Sequence, residues 1–291
     1  MLYTDLHTHG ISGRDSRSAD PETYLRMAEA MLAHGTGQFL PTLFPGPVPV
    51  MRAQMDAVKR AMEVQGRDGL GGSARLLGVH LEGPFVNPAK CGALDRDEFI
   101  TPTLDNLSRL TYGFADVIRI ITVAPELPGA IEVIEAATEL GIRVNMGHSA
   151  ATFDDARDGR HAGATGVTHL FNAMSGLHHR EPGLAGYALT DDTLYVEIIA
   201  DMFHVHPAAL RLVLACKPAE RVILVSDSLA GAKTPGVPEM GPLYMPDGLT
   251  LAGSGISLAD AVANIGSLVI PGLDPGALAS ANPTRYIGMC A

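Results

Sequence analysis

The sequence predicts a (β/α)8 barrel, and three observations carry this prediction. Short runs of β-branched and aliphatic residues alternate with longer stretches of helical period, which is typical of repeated βα units around a parallel sheet. Eight such runs are present, and eight strands are the number that closes this barrel. The chain has 291 residues, and such a barrel requires roughly 250. We therefore expect residues 1–291 to form one domain.

The predicted strands are the apolar runs at residues 2–7, 38–42, 76–82, 117–123, 143–147, 166–169, 194–200 and 221–226. Between them, apolar residues recur at helical spacing and would pack on the sheet, as in the set Met51, Met55, Val58 and Met62. After the eighth strand, residues 241–252 predict a small hairpin that turns at Asp247 and Gly248. Ser257 then predicts the N-cap of a further helix.

Composition and charge exclude several classes of protein. Apolar residues make up 46% and charged residues 18% of the chain, so there is enough material for a core and no case for disorder. The net charge of −11, without a Lys/Arg cluster, makes nucleic acid and anionic membranes poor partners.

Cys91, Cys216 and Cys290 show neither a disulfide framework nor a thiolate metal pattern. Without a leader-like N-terminus or a run of ~20 apolar residues, the chain is expected to be cytoplasmic.

Polar side chains follow five of the predicted strands. Barrel enzymes carry their catalytic residues at the C-terminal ends of the strands, so these positions are the candidate site. The first strand ends in Asp5-Leu-His7-Thr-His9, and the alternation of side chains turns His7 and His9 to one face. The other strands end in the candidates Glu82, His148, His169 and Asp227.

A metal centre is the interpretation that explains these residues together. A single histidine after an apolar run is more often a hydrogen-bonded core residue than a ligand. Four histidines and two carboxylates at the same end of five strands have no structural need to coincide, and burying them without an ion is costly. Nitrogen and oxygen ligands without sulfur suit Zn²⁺, and also Fe²⁺, Co²⁺ or Mn²⁺.

Two nearby residues are weaker candidates. Asp5 precedes the histidine pair on the first strand, and a structural contact or support of a ligand is expected from it in place of direct ligation. His80 shares the phase of Glu82 but lies one layer deeper in the barrel. It is either a support for the ligands or a packed core histidine.

Five ordered motifs resemble those of N-acetylglucosamine-6-phosphate deacetylases of the amidohydrolase superfamily. They are HLEGPF (80–85), GHSAAT (147–152), THLFNAM (168–174), HHREPGLAG (178–186) and SDSLAGA (226–232). The resemblance extends from Asp5 to about Gly288, nearly the whole chain.

The resemblance implies a role for each candidate. Glu82, His148 and His169 would hold the principal metal, His7 and His9 can hold a second ion, and Asp227 would be the general acid/base. The residues implied to contact the sugar phosphate are Asn172, Ala173, Arg180 and His204. Arg180 would reach into a neighbouring subunit, which implies a homodimer. A guanidinium and a backbone N–H both suit phosphate oxygens.

The chain departs from the family pattern at two points. Members carry a small β-sandwich built from segments on both sides of the barrel, and we expect it to be absent here. Leu94 stands where members commonly have a histidine that polarises the substrate carbonyl, and leucine has no donor for that hydrogen bond.

The predicted activity is metal-dependent hydrolysis of the N-acetyl group of an amino sugar phosphate, within amino sugar metabolism. The opening DLHTHG followed by Ser12 and Asp15 also resembles metal phosphoesterases of the polymerase-and-histidinol-phosphatase type. That alternative predicts phosphate release. A third alternative is a non-catalytic sugar-phosphate-binding protein, although the retained Asp227 favours an enzyme.

Overall fold

The computed structural model describes residues 2–234, 236 and 241–289, and its centre is a barrel of eight parallel strands. The strands are β1 (Tyr3–Thr8), β2 (Thr36–Leu43), β3 (Val79–Leu81), β4 (Ile118–Val123), β5 (Arg143–Met146), β6 (Gly166–Val167), β7 (Tyr195–Ile199) and β8 (Val222–Val225). Each strand pairs in parallel with the next in chain order. Between β8 and β1, Asp227 donates its backbone N–H to His7 O at 2.9 Å. The predicted (β/α)8 fold is confirmed.

Helices follow the strands and pack around the barrel, and Tyr286 of the last helix reaches its inner apolar layer. They are α1 (Pro21–Ala33), α2 (Val48–Asp68), α3 (Leu104–Thr111), α4 (Ala130–Glu139), α5 (Phe153–His161), α6 (Gly183–Thr190), α7 (Pro207–Cys216), α8 (Leu258–Ser267), α9 (Pro275–Leu278) and α10 (Ala281–Tyr286). Ser257 caps α8, because its side chain accepts the Asp260 N–H while Asp260 accepts the Ser257 N–H. None of the described helices is long and apolar enough to cross a membrane.

Two apolar layers hold the barrel together. The outer layer lies between strands and helices and contains the buried faces that the helical spacing predicts, such as Met51, Met55 and Val58 of α2. The inner layer fills the barrel itself with Leu6, Leu40, Ile120, Ile199, Ile223 and Val225. The candidate ligands lie at the C-terminal ends of the strands, which is where barrel enzymes carry their catalytic residues.

The third predicted strand is interrupted by Gly78. Residues 76–82 were expected to be one strand, but Arg75–Leu76 pairs with β2 and the chain resumes pairing only at Val79. Gly78 has a φ of +131°, and a Cβ there would lie 2.2 Å from Val117 O. The close approach of the neighbouring strand therefore requires glycine, and its backbone breaks the regular ladder.

A short antiparallel pair follows β8, where the sequence predicts a hairpin. Its strands are β9 (Leu243–Tyr244) and β10 (Leu251–Gly253). Asp247 holds the turn by accepting the backbone N–H groups of Leu249 and Thr250 at 2.8 and 2.9 Å. Cys91 and Cys216 are free thiols, and Cys290 lies outside the described residues.

Candidate metal centre and active-site cavity

The candidate ligands lie where the strands turn into loops at the C-terminal end of the barrel. His148, His169 and Asp227 each follow a strand and have left-handed backbones, with φ of 46°, 28° and 48°. Non-glycine residues adopt this conformation at a cost, and it concentrates at functional sites. Here the sharp turn directs each side chain back over the barrel axis.

Glu82, His148 and His169 form one compact set of ligand atoms. Glu82 Oε1 lies 3.0 Å from His148 Nε2 and 2.9 Å from His169 Nε2, and the two nitrogens are 3.1 Å apart. A tetrahedral ion with bonds of ~2.0–2.2 Å places its ligand atoms roughly 3.3–3.6 Å apart. The three atoms are therefore close to the spacing that one ion requires.

His7 and His9 form a second set that shares Glu82 with the first. Their Nε2 atoms are 3.4 Å apart. His7 Nε2 lies 3.4 Å from Glu82 Oε1, and His9 Nε2 lies 3.1 Å from Glu82 Oε2. Glu82 thus presents oxygens to both pairs of histidines.

The hydrogen bonds of the outer ring nitrogens leave the inner nitrogens of His9 and His148 available for ligation. His148 Nδ1 lies 2.9 Å from Lys90 O, and His9 Nδ1 lies 3.0 Å from Thr42 O. A carbonyl only accepts, so each Nδ1 carries its proton, and in the neutral ring Nε2 keeps a lone pair. In His9 that lone pair faces an acceptor, Glu82 Oε2, and only a cation or an additional proton between them satisfies both.

The electrostatics also favour a cation at this position. Burial would raise the pKa of Glu82, but the neighbouring His7 and His148 hold it well below its usual range. Burial would lower the pKa of His7, yet the charges of Glu82 and Asp227 and the hydrogen bond with Glu197 raise it well above its usual value. Carboxylates therefore dominate the local potential, and a dication suits such a site.

Asp227 lies beside both sets of ligands. Its Oδ1 is 3.5 Å from the Nε2 atoms of His7 and His9. It lines a cavity of about 240 Å³ together with His9, Glu82, His148 and His169. Leu94, Leu251 and Gly253 contribute to the apolar part of the wall. A carboxylate that faces both the ligands and the open cavity can exchange protons with a bound molecule.

Three of the four predicted sugar-phosphate residues line the same cavity. They are Asn172, Ala173 and His204. Ala173 has a left-handed backbone with a φ of 49°. Arg180 is exposed, and its guanidinium contacts the adjacent His179 at 3.0 Å. Within one chain, the structure does not bring Arg180 to this cavity.

The two weaker candidates have structural partners. Asp5 Oδ1 accepts the backbone N–H groups of His7 and Ser226, at 3.3 and 3.2 Å, and so joins β1 to the end of β8. Burial raises the pKa of Asp5 to about 6. The nitrogens of His80 contact Leu6 O at 3.1 Å and Thr122 Oγ1 at 2.9 Å. His80 is therefore a hydrogen-bonded residue of the barrel interior.

Two residues near the ligands are not predicted from the sequence. The Phe44 ring stacks on His9, with centroids 3.8 Å apart and planes inclined by 16°. Glu197 is buried in β7 and its Oε2 lies 3.3 Å from His7 Nδ1. A lone acidic residue within the apolar run YVEII was the signal for Glu197. Phe44 simply ends an apolar run, and its sequence context gives no comparable signal.

Comparisons with curated proteins identify close relatives, whereas no protein-family model matches the chain. An N-acetylgalactosamine-6-phosphate deacetylase of Escherichia coli O157:H7 is 36% identical over 99% of this chain and 77% of the relative. An N-acetylglucosamine-6-phosphate deacetylase of Bacillus subtilis is 36% identical over 81% of this chain. The alignment spans 60% of that relative's length.

A solved structure supports the same assignment. It is a mutant N-acetyl-D-glucosamine-6-phosphate deacetylase of Mycobacterium smegmatis in complex with N-acetyl-D-glucosamine-6-phosphate. It superposes on all of this chain and 78% of its own with a TM-score of 0.89 and 28% sequence identity.

Proposed function

Because the chain belongs to the N-acetylglucosamine-6-phosphate deacetylase family of amidohydrolases, we propose that it hydrolyses the acetamide of N-acetylglucosamine-6-phosphate. The products are glucosamine-6-phosphate and acetate. The observation that carries this proposal is the position of Asp227, which shares one cavity with Glu82, His148 and His169. That cavity also reaches Asn172 and His204.

Glu82, His148 and His169 would hold the principal metal ion, and His7 and His9 would hold a second ion together with Glu82. A divalent metal at such a site supplies Lewis acidity, which polarises an acyl carbonyl and acidifies water. We propose Zn²⁺, with Fe²⁺, Co²⁺ and Mn²⁺ as alternatives that suit the same nitrogen and oxygen ligands.

Asp227 would move the proton in this reaction. It accepts a proton from the attacking water as the new C–O bond forms at the acetyl carbonyl. It then returns that proton to the sugar nitrogen as the C–N bond breaks, so that a neutral amine leaves. Since the water oxygen ends in acetate and the proton on the amine, no acyl-enzyme is required.

The part of the cavity lined by Asn172, Ala173 and His204 would bind the sugar phosphate. His204 supplies a donor there, and the left-handed backbone of Ala173 turns the chain at this wall. Arg180 is exposed in the single chain, so its proposed contact with phosphate requires a second subunit. A homodimer and a cytoplasmic location remain predictions from the sequence.

The experiment that tests this function measures acetate and phosphate release in parallel from N-acetylglucosamine-6-phosphate and N-acetylgalactosamine-6-phosphate. Acetate release without phosphate release supports the proposal, and the ratio of kcat/KM for the two sugars identifies the preferred one. Phosphate release would instead support the phosphoesterase alternative. Binding of both sugars without either product would support a non-catalytic binding protein.

A further inference from the structure

A buried carboxylate in the middle of a barrel strand requires an explanation. Glu197 lies in β7 within the apolar segment YVEII and is 1% exposed. Burying a carboxylate is unfavourable unless hydrogen bonds compensate for the lost water. Two donors meet it here: Asn145 Nδ2 at 2.9 Å from Oε1, and His7 Nδ1 at 3.3 Å from Oε2.

The hydrogen bonds around Glu197 form a chain with one direction. Asn145 donates its amide N–H to Glu197, so its carbonyl oxygen remains an acceptor, and it receives the hydroxyl of Tyr286. Tyr286 in turn lies 3.2 Å from Thr165 Oγ1. The chain thus runs from α10 through the barrel interior and ends on the carboxylate.

Gly166 of β6 leaves the space that this chain of hydrogen bonds occupies. A Cβ on Gly166 of β6 would lie 2.3 Å from Asn145 Oδ1 and 2.6 Å from the Tyr286 hydroxyl. Any larger residue at this position would displace the network. The space is therefore part of the arrangement that holds Asn145 against Glu197.

We infer that Glu197 is the positioning residue that fixes the tautomer and the orientation of His7. Its carboxylate accepts the proton of His7 Nδ1, so that in the neutral ring the lone pair of Nε2 is directed at Glu82 and His9. Carboxylates that hold the outer nitrogen of a ligand histidine raise its basicity and fix its ring. The inference rests on the proposed function to the extent that His7 is a ligand of the second ion.

Direct ligation by Glu197 is the competing explanation. His7, His80 and Glu197 are close enough to be grouped as ligands. Both nitrogens of His80, however, are occupied by Leu6 O and Thr122 Oγ1. With His80 engaged, Glu197 meets the outer nitrogen of His7 on one oxygen and the amide N–H of Asn145 on the other, and this favours support of His7 over a separate ion site.

Glu197→Gln is the sharpest test, because it changes the hydrogen-bond pattern with almost no change in shape. Asn145 still donates to the amide oxygen, so the new NH2 group faces His7 Nδ1. That nitrogen must then accept, and the ring proton moves to Nε2, where it blocks coordination. We expect at least ~10-fold weaker binding of the second Zn²⁺, with the first ion retained.

Two readouts measure this effect independently of turnover. Titration with Zn²⁺ in metal-buffered solution gives the stoichiometry and the affinity of each ion. Long-range ¹H–¹⁵N correlation of histidine rings in the metal-free protein reports the tautomer of His7 directly. Wild type should show a protonated Nδ1, and Glu197→Gln should show Nδ1 without a proton and Nε2 protonated.

Thr111→Val is the matched control, since it removes a buried hydroxyl whose hydrogen bond, to Leu107 O, lies within α3 and involves neither Glu197 nor the histidines. It should leave both readouts unchanged. If Glu197→Gln does not fold, Glu197→Asp withdraws the carboxylate by one methylene and should also weaken the second ion. Thermal melting of the metal-free variants verifies folding.

Unchanged second-ion affinity and His7 tautomer in a folded Glu197→Gln protein would overturn the inference. A shifted tautomer with weaker second-ion binding would support it. Failure of the proposed function has a different signature. In that case wild type would release no acetate, while Glu197→Gln would still differ from wild type in tautomer and metal binding.

Discussion

His204 Nδ1 donates to Asp201 Oδ2 at 2.7 Å, and this pair stabilises the charged form of a histidine that lines the cavity. The other oxygen of Asp201 accepts the backbone N–H groups of Phe203 and His204, which holds the carboxylate in place. Burial alone would lower the pKa of His204, but the hydrogen bond and charge of Asp201 outweigh it and raise the pKa above 6.5. The imidazolium form of His204 therefore persists to higher pH than that of a histidine without such a partner.

This relationship predicts how substrate binding depends on pH. The imidazolium attracts phosphate below the raised pKa of His204 and is lost as the pH rises through that value. We expect KM to increase across that transition. Asp201→Asn should move the increase to lower pH, because the opposing charge is gone. KM measured from about pH 5.5 to 9 in both proteins checks this, and superimposable profiles would contradict it.

The ligand sets predict different losses of metal. His148→Ala should remove the principal ion and all activity, because it deletes one of three ligands. His9→Ala should remove only the second ion, since the first set remains complete. Glu82→Gln should weaken both, because this carboxylate presents oxygens to both pairs. Metal analysis by mass spectrometry after equilibration with Zn²⁺ checks the order. Full retention of metal in His148→Ala would refute the assignment.

Asp227→Asn tests the mechanism separately from binding. The amide keeps the shape of the side chain and cannot accept the proton, so kcat should fall by at least ~10²–10⁴-fold. KM and metal content should change little, because the phosphate contacts and the principal ligands lie elsewhere. Steady-state kinetics measure kcat and KM of the variant, and metal analysis measures its metal content. Turnover within a few-fold of wild type would exclude Asp227 as the proton carrier, and loss of metal would make it a ligand.

Gly78→Ala predicts a specific loss of stability. The new Cβ would lie 2.2 Å from Val117 O in the neighbouring strand, and the φ of +131° is unfavourable for alanine. Gly113→Ala is the matched control: its φ is +79°, and nothing lies within 4 Å of the added Cβ. The control should lose about 1 kcal/mol of unfolding free energy, and Gly78→Ala clearly more. Equal midpoints in denaturant unfolding would contradict this explanation.

The strands are predicted well from the sequence, because each apolar run ends where the chain leaves the barrel at the C-terminal end of a strand. The same rule predicts the neighbourhood of His7, Glu82 and His169, since parallel strands end together. It fails for Glu197, because a mid-strand position does not reveal which interior residues face one another across a barrel. It also fails at Gly78, where the interruption arises from the approach of Val117 O in the next strand.

The left-handed backbones of His148, His169 and Asp227 have a consequence for anyone who tries to improve this protein. Each such conformation costs an L-residue roughly 1–2 kcal/mol, and glycine would relieve it. Selection for heat resistance alone would therefore favour glycine at these three positions and discard the chemistry. Variant libraries of this protein should therefore be screened for product formation at every round, because thermal stability and activity make opposite demands at these three turns.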